Sequence, residues 1–250
     1  MREQLHTIPV NEAFESGDEC PFCYLRRQTE QRVIRYVAGP GASYMETEVR
    51  EATNRTGFCP GHMKKLYDYG NTLGSALILQ THFDRVRENL REEIEAFSLP
   101  ASRGLFSGKK KTEKESAWQR IRKQLGECYI CDRLDDSMAR YFHTIFALLK
   151  EKEFRVKVEG CKGFCMGHFA TLLQVAEEKL EKGQREWFCS TVLSLMADNL
   201  DRVKGDLDWL IAKYDYRNAG SDWKNSRDAL QRTMQKLEGI YPADPPYQND

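Results

Sequence analysis

Two stretches of this chain repeat one set of metal-ligating residues, and any fold must bring those residues together. Cys20-Pro21-Phe22-Cys23 is followed by Gly57-Phe58-Cys59-Pro60-Gly61-His62, and Cys128-Tyr129-Ile130-Cys131 by Gly163-Phe164-Cys165-Met166-Gly167-His168. Each copy reads Glu-Cys-x-x-Cys, a gap, then Gly-Phe-Cys-x-Gly-His. The gap is 35 residues in the first copy and 33 in the second. Six of the eight cysteines and two of the five histidines fall into this pattern, so both clusters are taken as real.

Two ligands separated by two residues form a tight knuckle, and two such pairs make a tetrahedral Cys3His set suited to zinc. Joined within each copy, the sets are Cys20, Cys23, Cys59 and His62, then Cys128, Cys131, Cys165 and His168. Four protein ligands leave no open position, so the expected role is structural: two Zn ions, each fastening one helix start to another. Iron–sulfur clusters are the alternative cofactor, since three cysteines and a histidine can also hold one. A thioredoxin-like dithiol fits less well. Glu15–Glu19 do not read as the strand that motif requires, the second copy lacks the proline, and redox chemistry gives no reason for the Cys-x-x-His partner.

The chain between the motifs is helical in pattern. Leu79, Phe83, Val86, Leu90, Ile94 and Phe97 recur every three or four residues, which predicts a long helix over 72–97 with one buried face. Leu134 to Leu149 and Phe188 to Ile211 repeat the spacing, the latter in a helix over 186–213. Pro9 after Ile8 suggests an extended start, with Asn11 capping a short turn. Phe154–Val158 alternates and reads as extended. The order of motifs and helices recurs in both halves, a tandem duplication. The fold class is therefore all-α, a duplicated Cys3His metal-pinned helical unit in a pseudo-twofold helical bundle, with the two long helices packed together. The expected domains are 1–98 and 116–213, two metal-binding repeats joined by a hydrophilic linker at 99–115. A helical extension at 214–241 and a tail at 242–250 follow. The Lys109–Lys111 run in the linker reads as solvated charge.

Composition excludes several classes. Lys plus Arg equals Asp plus Glu at 38 each, so no basic field draws nucleic acid, and none is expected as a partner. No run approaches the roughly 20 apolar residues of a membrane span, and Met1–His6 lacks the apolar core of a signal peptide. The expectation is a cytoplasmic protein with no membrane partner, whose cysteines serve metal rather than disulfides. Dinucleotide, Walker, serine-hydrolase and zinc-protease motifs are absent. Cys161 lies outside the repeated set, with Arg55 at its counterpart position, and could replace a ligand; Cys189 reads as core. His82 and His143 read as ordinary helix histidines.

Thr7–Phe14 (Thr-Ile-Pro-Val-Asn-Glu-Ala-Phe), Glu-Cys-Pro-Phe-Cys, Gly-Phe-Cys-Pro-Gly-His, and Asp215-Tyr216-Arg217-Asn218 with Trp223-Lys-Asn-Ser-Arg-Asp-Ala-Leu230 together resemble an uncharacterised bacterial family, domain of unknown function 6062, over about residues 5–240. The resemblance implies a cytosolic helical protein and no particular activity. Three function classes follow. A zinc-stabilised scaffold or adaptor, binding a protein or small-molecule partner, fits closed sites and neutral charge. A redox or metal sensor is the second. The third is an enzyme between the repeats, built from the non-duplicated Asn11, Glu12, Tyr216, Arg217 and Trp223 as candidate ligand-binding residues; the reading leans against it.

Overall fold

The computed structural model describes residues 6–41, 43–95, 97 and 116–242. The linker expected at 99–115, with its lysine run, and the tail beyond residue 242 lie outside the described residues. Among the described residues the chain is all-helical, with no strand. The helices are α1 (Ile8–Glu15), α2 (Pro21–Ala38), α3 (Thr47–Thr56), α4 (Pro60–Tyr69), α5 (Thr72–Glu95), α6 (Ala117–Gly126), α7 (Tyr129–Leu148), α8 (Lys152–Gly160), α9 (Met166–Lys179), α10 (Lys182–Ala212) and α11 (Ala229–Glu238).

Two compact units result, and they are not the two sequence halves. One is discontinuous, Met1–Thr29 with Asp136–Pro245; the other, Glu30–Asp135, is inserted between its parts. The boundary falls inside α2 and α7, so each of these helices begins in one unit and ends in the other. The hydrophobic pattern explains the division. Phe22 and Leu25 at the start of α2 join the core of the discontinuous unit with Phe154, Phe164 and Phe188, whereas Ile34 and Val37 at its end join Phe58, Ile78 and Ile130. In the discontinuous unit Phe22 stacks on Phe142 at 4.3 Å, and Phe14 meets Phe154 edge-on at 5.0 Å. Each fully buried phenylalanine contributes about 1.5–3 kcal/mol over an exposed one, so these rings settle where the start of α2 belongs.

Two stretches expected to be extended are helices. Pro9 sits in the first turn of α1, where a missing N–H costs nothing. Asn11 is therefore no cap; it is buried inside the helix, with its side-chain amide donating to the Thr7 carbonyl. In α8, Phe154 and Val158 are buried while Val156 is 66% exposed. Spacing of i, i+4 serves a helix as well as alternation serves a strand, and five residues are too few to separate them.

The long stripe on α5 is also a correction. Ile78 is 1% exposed, but Phe83 is 68% and Ile94 65% exposed. Helix α5 packs chiefly on α3 within the inserted unit. In the discontinuous unit, α10 buries Phe188, Val192, Met196 and Val203, with α8, α9 and α11 as its packing partners. At the C-terminal end, α11 stops where Gly239 turns left-handed at φ 74°, which a side chain resists.

Candidate metal centres

The local construction is the same at all four motifs. The first cysteine of each motif sits immediately before a helix, and its carbonyl accepts the first helical bond: Tyr24 N–H to Cys20 O (3.1 Å), Met63 to Cys59 (2.9 Å), Asp132 to Cys128 (3.0 Å) and Phe169 to Cys165 (2.9 Å). The second ligand follows three residues later, one turn along and on the same side. Gly57 and Gly163 precede the Cys-x-x-His motifs with φ 61° and 78°, left-handed turns that aim the chain into α4 and α9. A Cβ on Gly57 would also strike the His82 ring at 2.4 Å. Eight candidate ligands thus lie at the starts of α2, α4, α7 and α9, where the helix dipole favours thiolate charge.

The pairing crosses the sequence halves. Cys20 and Cys23 gather with Cys165 and His168; Cys128 and Cys131 gather with Cys59 and His62. Each set lies wholly within one unit, and within a set the ligand atoms are all within 4.8 Å of one another. In the discontinuous unit the three sulfurs stand 3.5, 3.5 and 3.1 Å from His168 Nδ1. In the inserted unit they stand 3.2, 3.3 and 3.4 Å from His62 Nδ1, with Cys59 and Cys131 Sγ 3.9 Å apart. Zinc bonds of about 2.3 Å to sulfur and 2.0–2.1 Å to nitrogen give tetrahedron edges of roughly 3.6 and 3.8 Å, so the donors are spaced for a single tetrahedral ion. A backbone bond from Tyr129 N–H to Gly57 O (3.0 Å) ties the two motifs of the inserted unit together. Its counterpart in the other unit is ruled out, since Pro21 has no N–H.

Without a cation each set shares its charge unevenly. Burial, followed by contact with Cys165, pushes the Cys20 thiol up to about 12, and hydrogen bonds to Cys165 and Cys20 raise Cys23. Cys165, receiving hydrogen bonds from both, falls well below the ordinary thiol range. In the inserted unit burial opposes ionisation of Cys128, but His62 and neighbouring amides hold it down to about 6. Burial and then Cys128 push Cys131 up to about 12. Burial also works against a charged His62, yet Cys128 and Glu30 push it up to about 9. Three sulfurs this close cannot all ionise unaided. A divalent cation removes that conflict.

The surroundings of the two sets differ in ways the motifs do not announce. His62 Nε2–H donates to Glu30 (2.9 Å), whose other oxygen accepts from Lys65 (2.6 Å). This carboxylate fixes the tautomer that presents Nδ1 to a metal. His168 instead stacks on Phe22 at 5.3 Å. Beside its set, buried Lys236 donates to the Glu19 carbonyl (2.7 Å), and Glu19 pairs with Lys236 and Arg202. Glu30 and Lys236 carried no sequence signal, each being one charged residue within an ordinary amphipathic helix.

The remaining candidates have local roles. Cys161 is buried at the end of α8, and the Cys20 set is complete without it. Cys189 is half-buried against the core. His82 donates to the Asn54 carbonyl (2.8 Å). Asn11 accepts from Lys157 (2.7 Å), and neighbouring Glu12 is exposed. Tyr216 is 87% exposed, Arg217 pairs with Asp215, and the Trp223 ring receives Lys213 and Arg227. Among the described residues the side-chain hydrogen bonds of Asn11 run to Thr7 and Lys157. The Lys213 ammonium organises the 214–227 stretch by donating to the carbonyls of Asn218 (2.6 Å), Ala219 (3.2 Å) and Ser221 (2.6 Å). The inserted unit also has a groove of about 1220 Å³, lined by residues including Phe58, Met63, Val86, Leu90 and Ile121.

The family model described as "Family of unknown function (DUF6062)" matches residues 1–244. The chain belongs to the DUF6062 family. This DUF6062 chain is also similar to an "Uncharacterized 23.9 kDa protein in xynA 3'region" of Caldicellulosiruptor sp. (strain Rt8B.4), 22% identical over 204 residues, covering 80% of this chain and 85% of that protein. No solved structure matches it significantly.

Proposed function

We propose that this DUF6062 protein is a zinc-stabilised helical scaffold. Each Cys3His set holds one structural zinc ion, and the groove of the inserted unit receives a protein or small-molecule partner. One observation carries the reading: four protein donors at tetrahedral spacing close each set, leaving no position for substrate or water. Mononuclear zinc is favoured over iron–sulfur because all four donors crowd within one ion's shell, whereas cluster ligands bind separate irons and stand further apart. The repeated order of motifs supports descent from a duplicated unit. Free cysteines committed to ligand sets suit a reducing, cytoplasmic compartment. Equal numbers of acidic and basic residues speak against nucleic acid, and among the described residues no helix is long and apolar enough to cross a membrane.

Metal analysis with an optical spectrum of freshly purified protein tests the proposal. Two zinc ions per chain and a colourless solution are expected. Iron with absorbance near about 400 nm would replace zinc by iron–sulfur.

A further inference from the structure

The two ligand sets match in donors and differ in cover. In the discontinuous unit Cys20, Cys23 and Cys165 are 0, 2 and 3% exposed. The end of α11 lies directly on them, for a Cβ added to Gly239 would come 3.3 Å from both Cys23 Sγ and Cys165 Sγ. One turn earlier, Lys236 sits buried beside Glu19. Helix α11 has no counterpart in the first half of the sequence, and among the described residues the inserted unit has no such lid. There Cys128 is 1% exposed, but Cys59 and Cys131 are partly exposed. Their chain neighbours Phe58, Pro60 and Asp132 line the groove.

We infer that the centre of the inserted unit is an exchange-competent, thiol-reactive zinc site. Soft electrophiles and competing chelators attack it at Cys59 and Cys131, while the sulfurs of the other centre are covered by α11. The inference rests on the zinc reading above. Exchange at a closed four-ligand ion requires a reagent to reach the metal or a sulfur, so open sulfurs set the rate. The His62–Glu30–Lys65 chain strengthens His62 as a ligand and so raises affinity without covering the sulfurs. Alkylation is balanced within the site. The thiolate electron pair forms the new S–C bond, the leaving group departs with its own pair, and the uncharged thioether lets go of the cation. Because the segments bearing Cys59 and Cys131 also form the groove wall, losing that metal loosens the wall and couples partner binding to thiol chemistry.

The full chain, first shown by metal analysis to hold two zinc ions, is treated with limiting iodoacetamide in the presence of a chromogenic chelator. Modified cysteines are mapped by mass spectrometry. One zinc ion is expected to leave faster than the other by roughly tenfold or more, with Cys59 and Cys131 modified before Cys20, Cys23 and Cys165. Half-buried Cys189 serves as the reference thiol, since its modification releases no metal. Release of both ions at one rate, or modification beginning at Cys20, Cys23 or Cys165, overturns this inference and leaves the zinc reading intact. Protein that holds no zinc overturns the zinc reading, and this inference with it.

Discussion

Replacing Cys59 with serine distinguishes the crossed pairing from pairing within each sequence half. Its set closes across the chain from His62 to Cys128, 66 residues, and from Cys59 to Cys131, 72 residues. Treating the ion as a cross-link, a loop of this length contributes about 4–5 kcal/mol through the unfolded state. The other set closes 145–148 residues and contributes under 1 kcal/mol more, because the cost grows only with the logarithm of length. Against a total stability of about 5–15 kcal/mol, either loss is a large fraction. Cys59→Ser should therefore leave one zinc ion and strip hydrogen-exchange protection from α3, α4, α5 and the first turns of α7, while α9 and α10 keep theirs. The double variants decide the pairing. Cys59→Ser with Cys128→Ser should still hold one ion, since both sulfurs serve one site; Cys59→Ser with Cys20→Ser should hold none. Elemental analysis giving the reverse would restore the within-half sets and refute the crossed arrangement.

Three further outcomes are expected. Glu30→Ala removes the carboxylate behind His62 and should weaken one of the two zinc affinities roughly 10- to 100-fold in chelator competition; equal weakening of both would contradict its placement. In the metal-free inserted unit His62 is pushed up to about 9 and Cys131 to about 12, so at neutral pH both hold protons that zinc must displace. Affinity there should fall as pH drops, by roughly a hundredfold per unit for two protons, and an affinity unchanged between about pH 6 and about pH 8 would show that the displacement does not occur. Lys213→Met leaves three carbonyls without their ammonium, costing about 1–3 kcal/mol; a thermal unfolding midpoint equal to that of the parent would mean the loop does not depend on it.

The clustering cysteines and histidines were legible in the sequence because a doubled Cys-x-x-Cys and Cys-x-x-His pattern has few other uses. Their partners were not. Either Cys-x-x-Cys can chemically join either Cys-x-x-His, and loop entropy favours the nearer one by only about 1 kcal/mol. Burying Phe22 among Phe142 and Phe164, and Ile130 beside Phe58, outweighs that difference, and those contacts are non-local. The apolar spacing of α5 correctly marked a helix but not its burial, since periodicity records which residues share a face and not whether anything covers it. Helix α8 was missed for a related reason: Phe154 and Val158, four apart, satisfy the strand and the helix period at once. Glu30 and Gly239 matter only through residues far along the chain.

The insertion of one unit between the two parts of the other imposes an order on synthesis. Cys20 and Cys23 leave the ribosome first, but their partners Cys165 and His168 follow some 140 residues later, a wait of roughly 7–30 s at typical elongation rates. The nearest ligands to emerge meanwhile are Cys59 and His62, which belong elsewhere. On the zinc reading, the nascent chain thus passes a stage at which all four residues of a within-half set have emerged and those of the crossed set have not. On the same reading, the arrival of Cys128 and Cys131 offers Cys59 and His62 their own partners, so the inserted unit completes its ligand set before the discontinuous unit does.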